Sequence, residues 1–253
     1  MSKSSIAIIT GGSRGLGKNT AMKLAEQGTD VILTYRSGHD EAVAVVAAIE
    51  KLGRKAVALP LDVGKSAGFD DFAAQIRDVL STTWQRDSFD FLVNNAGTGL
   101  HASIADTTEA EFDEMVNVHF KGVFFLTQKL LPLIADGGRI VNISSGLARF
   151  AMAGSSAYAA VKGAVEVLTR YQAKELGARG IAVNTVAPGA IETDFRGGAV
   201  RDNPEMKKMI ASMTALGRTG LPDDIGGVIA SLLLPANGWI NGQRIEASGG
   251  MFV

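Results

Sequence analysis

Short apolar, β-branched runs alternate with stretches of helical periodicity along most of the chain. Ile6-Ala7-Ile8-Ile9 passes through a glycine-rich turn into a helical pattern carried by Ala21, Leu24 and Ala25. The strand-like signature returns at residues 30–35, 56–61, 89–93, 139–143, 181–186 and 244–247. Apolar spacing predicts helices over 42–52, 69–80, 109–131 and 157–176, with Gly53 closing the first of these and Pro132 ending the third. Strands that are apolar throughout, alternating with helices, predict a parallel sheet with helices on both faces. The expected fold is therefore α/β and doubly wound, with seven mainly parallel strands. One stretch, about 190–221, breaks the rhythm; it holds Arg196-Gly197-Gly198 and a short helical piece through Met206, Met209 and Met213.

A chain of 253 residues, 46% hydrophobic and 20% charged, is of ordinary globular composition and long enough to bury a core. No Pro-rich or Ser-rich linker and no internal repeat divides it, so a single domain over 1–253 is expected, with 190–221 as its substrate loop. The formal charge of −1 gives no general attraction to nucleic acid or to an anionic membrane, so any phosphate must be bound locally. Cysteine is absent, which excludes disulfides and thiolate metal sites and fits a reducing compartment. No apolar run approaches the roughly 20 residues of a membrane span, and the first residues lead directly into a strand-like run. A cytoplasmic location is expected.

Chemistry enters first at Thr10-Gly11-Gly12-Ser13-Arg14-Gly15-Leu16-Gly17, between the first strand and the first helix. A helix N-terminus offers unpaired N–H groups and a partial positive charge, and Gly11, Gly15 and Gly17 permit the close backbone approach that a pyrophosphate needs. A glycine cluster alone marks only a tight loop. The strand before it and the helix after it supply the context of a dinucleotide site in a Rossmann-type fold. At the end of the second strand, where an NAD-selective site carries a carboxylate for the ribose 2′-hydroxyl, this chain has Tyr35-Arg36-Ser37. Arg14 and Arg36 can offer guanidinium forks to a 2′-phosphate, although a surface arginine is often merely solvated. The expected cofactor is NADP(H).

Tyr158 and Lys162 lie four residues apart in a predicted helix, so their side chains project from one face. A free tyrosine titrates near pH 10, but an ammonium at about 4 Å and an effective dielectric near 20 would favour phenolate by roughly 4 kcal/mol before desolvation subtracts from it. Such a phenol could give or take a proton at neutral pH. The spacing alone occurs by chance in many helices. Its company here is the glycine turn, Asn94-Asn95-Ala96-Gly97, the pair Ser144-Ser145, and Pro188-Gly189.

These motifs, in this order and over nearly the whole chain, resemble the short-chain dehydrogenase/reductase family in its single-domain branch, where 3-oxoacyl-carrier-protein reductases are similar. The resemblance implies that residues 10–17, with Ser13 and Leu16, hold the cofactor. It also implies that Asn94, Ala96 and Gly97 support the central strand beside the cofactor and that Asp62 and Val63 face the adenine. The implied catalytic set is Asn117, Ser145, Tyr158 and Lys162. Ser145 is preferred to Ser144 because it lies 13 residues before Tyr158, the family's usual interval. Asn117 would help hold a water chain to the lysine, and Lys162 would also bond the nicotinamide ribose. Pro188, Gly189 and Thr193 would grip the nicotinamide end, with Ile191 bonding the carboxamide through its backbone. Hydride would pass to a carbonyl carbon while Tyr158 protonates the oxygen and Ser145 hydrogen-bonds it; in reverse an alcohol is oxidised. The small residues Ala159, Ala160, Gly163 and Ala164 imply, by the same analogy, a helix pairing within a homotetramer. Ser248 stands where relatives often carry aspartate.

Met206, Met209 and Met213, with Ile210, either line the mouth of a substrate pocket or pack the short helix onto the body. Phe150, Met152 and Phe195 are further candidates for pocket wall. His101 and His119 have no partner at metal-ligand spacing and are read as non-metal residues. The leading expectation is an NADPH-dependent carbonyl reductase acting on a small-molecule carbonyl or alcohol. A 3-oxoacyl-[acyl-carrier-protein] reductase is the near alternative, for which Arg179 could offer a cation at the pocket mouth, while Asp136 brings an acid. A non-catalytic NADP-binding sensor could dispense with Tyr158 and Lys162, both of which are present.

Overall fold

The computed structural model describes residues 4–253. Among them seven strands form one sheet: β1 (Ile6–Ile9), β2 (Asp30–Tyr35), β3 (Ala56–Pro60), β4 (Phe89–Asn94), β5 (Ile134–Ile143), β6 (Ala182–Pro188) and β7 (Arg244–Ala247). Their order is β3-β2-β1-β4-β5-β6-β7, and every pairing between them is parallel. The helices are α1 (Gly15–Glu26), α2 (His39–Lys51), α3 (Phe69–Trp84), α4 (Glu109–Val116), α5 (Gly122–Leu130), α6 (Ser156–Leu176), the short α7 (Ala199–Asp202), α8 (Pro204–Ser212) and α9 (Pro222–Leu233).

Alternation along β1 divides the core in two. Ile6 and Ile8 join Phe69 and Ile76 of α3 and Leu126 of α5 on one face; Ala7 and Ile9 join Leu24 of α1, Ile49 of α2 and Ile229 of α9 on the other. Covered on both sides, the central strands are apolar throughout. The order of strands reverses between β1 and β4, which opens a crevice at their C-terminal ends.

Three features depart from the sequence pattern. The helix expected over 109–131 is interrupted by one wide π turn, Asn117–Lys121, between α4 and α5. Gly122 follows it because a Cβ there would stand 2.5 Å from the Val63 carbonyl oxygen. Strand β5 begins at Ile134, five residues early, and its register with β4 shifts between Phe89 and Phe91. Helix α9 has no counterpart in the expectation, although Pro222 and the acids Asp223 and Asp224 mark its first turn. Its glycines hide it: a Cβ at Gly226 would run into Asn19 of α1, whose Nδ2 donates to Asp223 at 2.5 Å. On α6, Ala160 is exposed and a Cβ added at Gly163 would meet nothing within 4 Å, so this small-residue face looks outward. No helix among the described residues is long and apolar enough to cross a membrane.

Candidate active site

The C-terminal ends of the strands open on a cavity of about 730 Å³. At one end it is lined by Gly11, Ser13, Arg14, Gly15 and Leu16, with Tyr35, Arg36 and Ser37 opposite. Asp62, Val63, Ala96 and Gly97 line its middle. Ser145, Tyr158 and Lys162 line the other end, with Pro188, Gly189, Ile191 and Thr193. Three expected residues, Gly17, Asn94 and Asn117, lie behind this wall instead. Gly17 is buried in the first turn of α1, where a Cβ would collide with the Gly11 carbonyl. Asn94 is buried too, its amide donating to Thr127 Oγ1 at 3.0 Å and to Asn142 Oδ1 at 2.8 Å. Asn117 opens the π turn packed against α6.

The glycine turn owes its shape to a clamp that sequence reasoning passed over. The Asn95 amide donates to the carbonyls of Thr10 at 2.8 Å and Gly11 at 3.1 Å. Thr10 Oγ1 in return accepts the backbone N–H groups of Asn95 and Ala96, both at 2.9 Å. Gly11 and Gly15 have φ of +65° and +55°, and a Cβ on Gly11 would stand 2.9 Å from Ala96 Cα. No side chain caps α1, so its first N–H groups are free to bind an anion. Among the described residues neither the Arg14 nor the Arg36 guanidinium has a hydrogen-bond or ion-pair partner. An uncapped helix start, a backbone without Cβ atoms and two unpaired cations suit a phosphorylated dinucleotide.

At the far end, strand alternation sends two adjacent serines different ways. The Ser144 hydroxyl donates to Glu166 Oε1 at 2.7 Å, and Glu166 is held in turn by Arg244 at 2.6 Å. Ser145 begins a short 3₁₀ turn, accepting from Leu147 N–H at 3.2 Å, and its hydroxyl lowers the titration of the Tyr158 phenol. Lys162, one helical turn beyond Tyr158, is buried, donates to the Ile143 carbonyl at 2.8 Å and stands 5.6 Å from the centroid of the tyrosine ring. Burial pushes its ammonium down to about 7.

Burial also pushes the Tyr158 phenol up to about 12, against the pull of Ser145 and of the Arg196 guanidinium. Desolvation thus works against the attraction that the Tyr158–Lys162 spacing offers, and the Arg196 guanidinium adds a second cation that favours phenolate. His119 completes the surroundings. Its ring meets the tyrosine edge-on, with centroids 5.2 Å apart, and its Nε2 lies 2.7 Å from the Thr98 carbonyl. Burial, then the charge of Lys162, holds its titration well below the usual histidine range, so the ring is neutral at pH 7. The only sequence signal was its position two residues after Asn117.

Phe150, Met152, Phe195, Met206, Met209 and Ile210 also line the cavity, whereas Met213 does not. Helix α8 thus does both things expected of it: Met206 and Met209 reach the cavity while Ile210 is buried. His101 lines the cavity near Gly154. Arg179 is nowhere near it. It sits before β6, at the opposite end of the sheet, bonded to Asp136 at 2.8 Å, which corrects its expected place at the pocket mouth. Ser248 donates to Glu246 at 2.8 Å and so ties the chain after β7 to that strand.

A family model described as enoyl-(acyl carrier protein) reductase matches residues 11–252. The 3-oxoacyl-[acyl-carrier-protein] reductase FabG of Staphylococcus aureus is 37% identical over 249 residues, covering 98% of each chain. Among solved structures, the promiscuous reductase LugOII, which catalyses keto-reduction at C1 during lugdunomycin biosynthesis, superposes with a TM-score of 0.94 at 37% identity over 99% of both chains. The angucycline C-6 ketoreductase LanV with bound NADP superposes with a TM-score of 0.93 at 35% identity, over 98% of this chain and 95% of that one. Sheet order, glycine turn and full-length similarity agree: the chain belongs to the short-chain dehydrogenase/reductase family of oxidoreductases.

Proposed function

We propose that the protein is an NADPH-dependent ketoreductase, which reduces a small-molecule carbonyl to a secondary alcohol. One observation carries this reading. A single cavity joins two unpaired arginines, Arg14 and Arg36, to the trio Ser145, Tyr158 and Lys162. The arginines would hold the 2′-phosphate, the free N–H groups of α1 the pyrophosphate, and Asp62 and Val63 the adenine. Pro188, Gly189, Ile191 and Thr193 would hold the nicotinamide end. Bound NADPH supplies a hydride. Ser145 orients the carbonyl oxygen by hydrogen bonding, and Tyr158, kept protonated by burial, donates its proton as negative charge grows there. Lys162 anchors the ribose and, when charged, favours the phenolate left behind. Asn117 would hold water on the lysine's far side, from which a proton returns.

The likeness to LanV, a ketoreductase with NADP, supports the cofactor and the direction. The likeness to FabG favours a second reading, reduction of carrier-linked 3-oxoacyl groups, although Arg179 no longer offers a docking cation. NADPH consumption by purified protein on ketones, ketoesters and carrier-linked or free 3-oxoacyl thioesters separates the two. Free carbonyl substrates are expected to turn over. Tyr158→Phe should cost at least about a hundredfold in kcat while NADPH still binds in a fluorescence titration. Tight NADPH binding with no turnover on any substrate would overturn the proposal in favour of a sensor.

A further inference from the structure

The 190–221 stretch reaches the catalytic end of the cavity through Phe195 and Arg196. The Phe195 ring lies 5.9 Å from that of Tyr158. Arg196 runs along Gly99, where an added Cβ would stand 2.9 Å from both Arg196 Cδ and Phe195 Cε1. Only a glycine leaves room for this arginine stem. Arg196 lines the cavity, and its charge is felt at the phenol. Its backbone is left-handed, with φ +53° and ψ +42°, and Gly197 and Gly198 follow at φ +68° and +80°. Two of these three positions carry the residue that takes this conformation freely; the first keeps a long cation against its preference.

Nearby acids are engaged elsewhere. Asp194 and Asp202 are both bonded to Arg201, and Glu192 to Lys207 and Thr219. Among the described residues the Arg196 guanidinium makes no hydrogen bond or ion pair. Lys162, the other cation at this end, is buried on the Ile143 carbonyl. The cofactor's 2′-phosphate belongs with Arg14 and Arg36, at the opposite end.

Resting on the ketoreductase reading, we propose that Arg196 binds substrate and that the substrate is a keto acid, its carboxylate a few bonds from the reacting carbonyl. A guanidinium fork takes both carboxylate oxygens at once. The wall of Phe150, Met152, Met206 and Met209 receives the apolar remainder of the molecule. A pantetheine-linked acyl chain would instead bring a neutral thioester to this place and its phosphate many bonds away, beyond the reach of Arg196.

The test pairs acids with their esters on one carbon skeleton: acetoacetate with methyl acetoacetate, 4-oxopentanoate and 2-oxo-4-phenylbutanoate with their ethyl esters. Wild type should show a higher kcat/KM for the acid in at least one pair. Arg196→Gln and Arg196→Gly should lower the acid-to-ester ratio about ten- to a hundredfold, chiefly through the KM of the acid. Arg196→Lys should recover part of it, and NADPH affinity by fluorescence titration should persist in all three. Arg196→Gly relieves the left-handed backbone, so it should melt no lower than wild type and excludes misfolding as the cause. An unchanged ratio, a loss of NADPH binding instead, or a wild type that reduces only esters overturns the assignment and leaves the ketoreductase reading standing. Wild type that reduces neither member of any pair overturns the keto-acid assignment, and the ketoreductase reading falls with it only if the wider panel of ketones and thioesters is silent as well.

Discussion

Replacing Lys162 by methionine measures what the buried ammonium costs the fold. The side chain is 4% exposed, and Nζ donates to one carbonyl, that of Ile143, at 2.8 Å. Burial carries its titration from 10.5 down to about 7. Below about pH 7 the lysine is charged in both folded and unfolded chains, and the folded chain bears the whole desolvation cost; above about pH 10.5 it is neutral in both, and the cost vanishes. In between the unfolded chain binds the extra proton, so stability rises with pH. At about 1.4 kcal/mol per pH unit, the cost is about 5 kcal/mol in acid, about 4 at pH 7 and under about 1 at pH 10. Methionine removes the charge at similar volume but leaves the Ile143 carbonyl unpaired, which costs about 1–2 kcal/mol. The net gain at pH 7 is about 2–3 kcal/mol. With an unfolding entropy of about 0.5 kcal/mol/K for a chain of this length, Tm should rise by about 4–6 °C. Thermal melts followed by circular dichroism at pH 7, 8.5 and 10, without cofactor, check this. The variant should melt higher at pH 7, lose its advantage by pH 10, and have no useful turnover. A lower Tm at pH 7, or a difference independent of pH, would refute the reasoning.

Three further outcomes are expected, two of them at the nucleotide end. Gly17→Ala drives a Cβ into the Gly11 carbonyl and the Asn95 amide, so it should lower stability by about 1–3 kcal/mol and weaken NADPH binding. Gly227→Ala in α9, where the added carbon meets nothing within 4 Å, should raise stability by up to about 1 kcal/mol in parallel melts. Arg36→Ala should reduce kcat/KM with NADPH by about ten- to a hundredfold and change that with NADH far less; equal losses would remove its 2′-phosphate role.

Local pattern was enough for most of the scaffold. The strand at Ile6–Ile9, the turn at Gly11 and the helical spacing of Tyr158 and Lys162 depend on near neighbours along the chain, so they were legible before folding. Helix α9 escaped because Gly226 reports a close approach to α1, a contact between distant segments that reads in sequence as a helix breaker. The clamp by Asn95 and the divergence of Ser144 from Ser145 likewise needed partners far along the chain.

Electrostatics at the catalytic end was least legible of all. Spacing alone offers Lys162 as a cation that favours phenolate; in the fold, His119, Phe195 and Arg196 arrive from two other segments and enclose the ring, and burial pushes the phenol up. Sequence by itself determined which groups could do chemistry and which elements carry them, because periodicity and turn geometry are short-range properties. Only the tertiary structure decided how deeply they are buried and which cations line the cavity with them, because burial and Coulomb fields sum over residues that the chain keeps far apart until it folds.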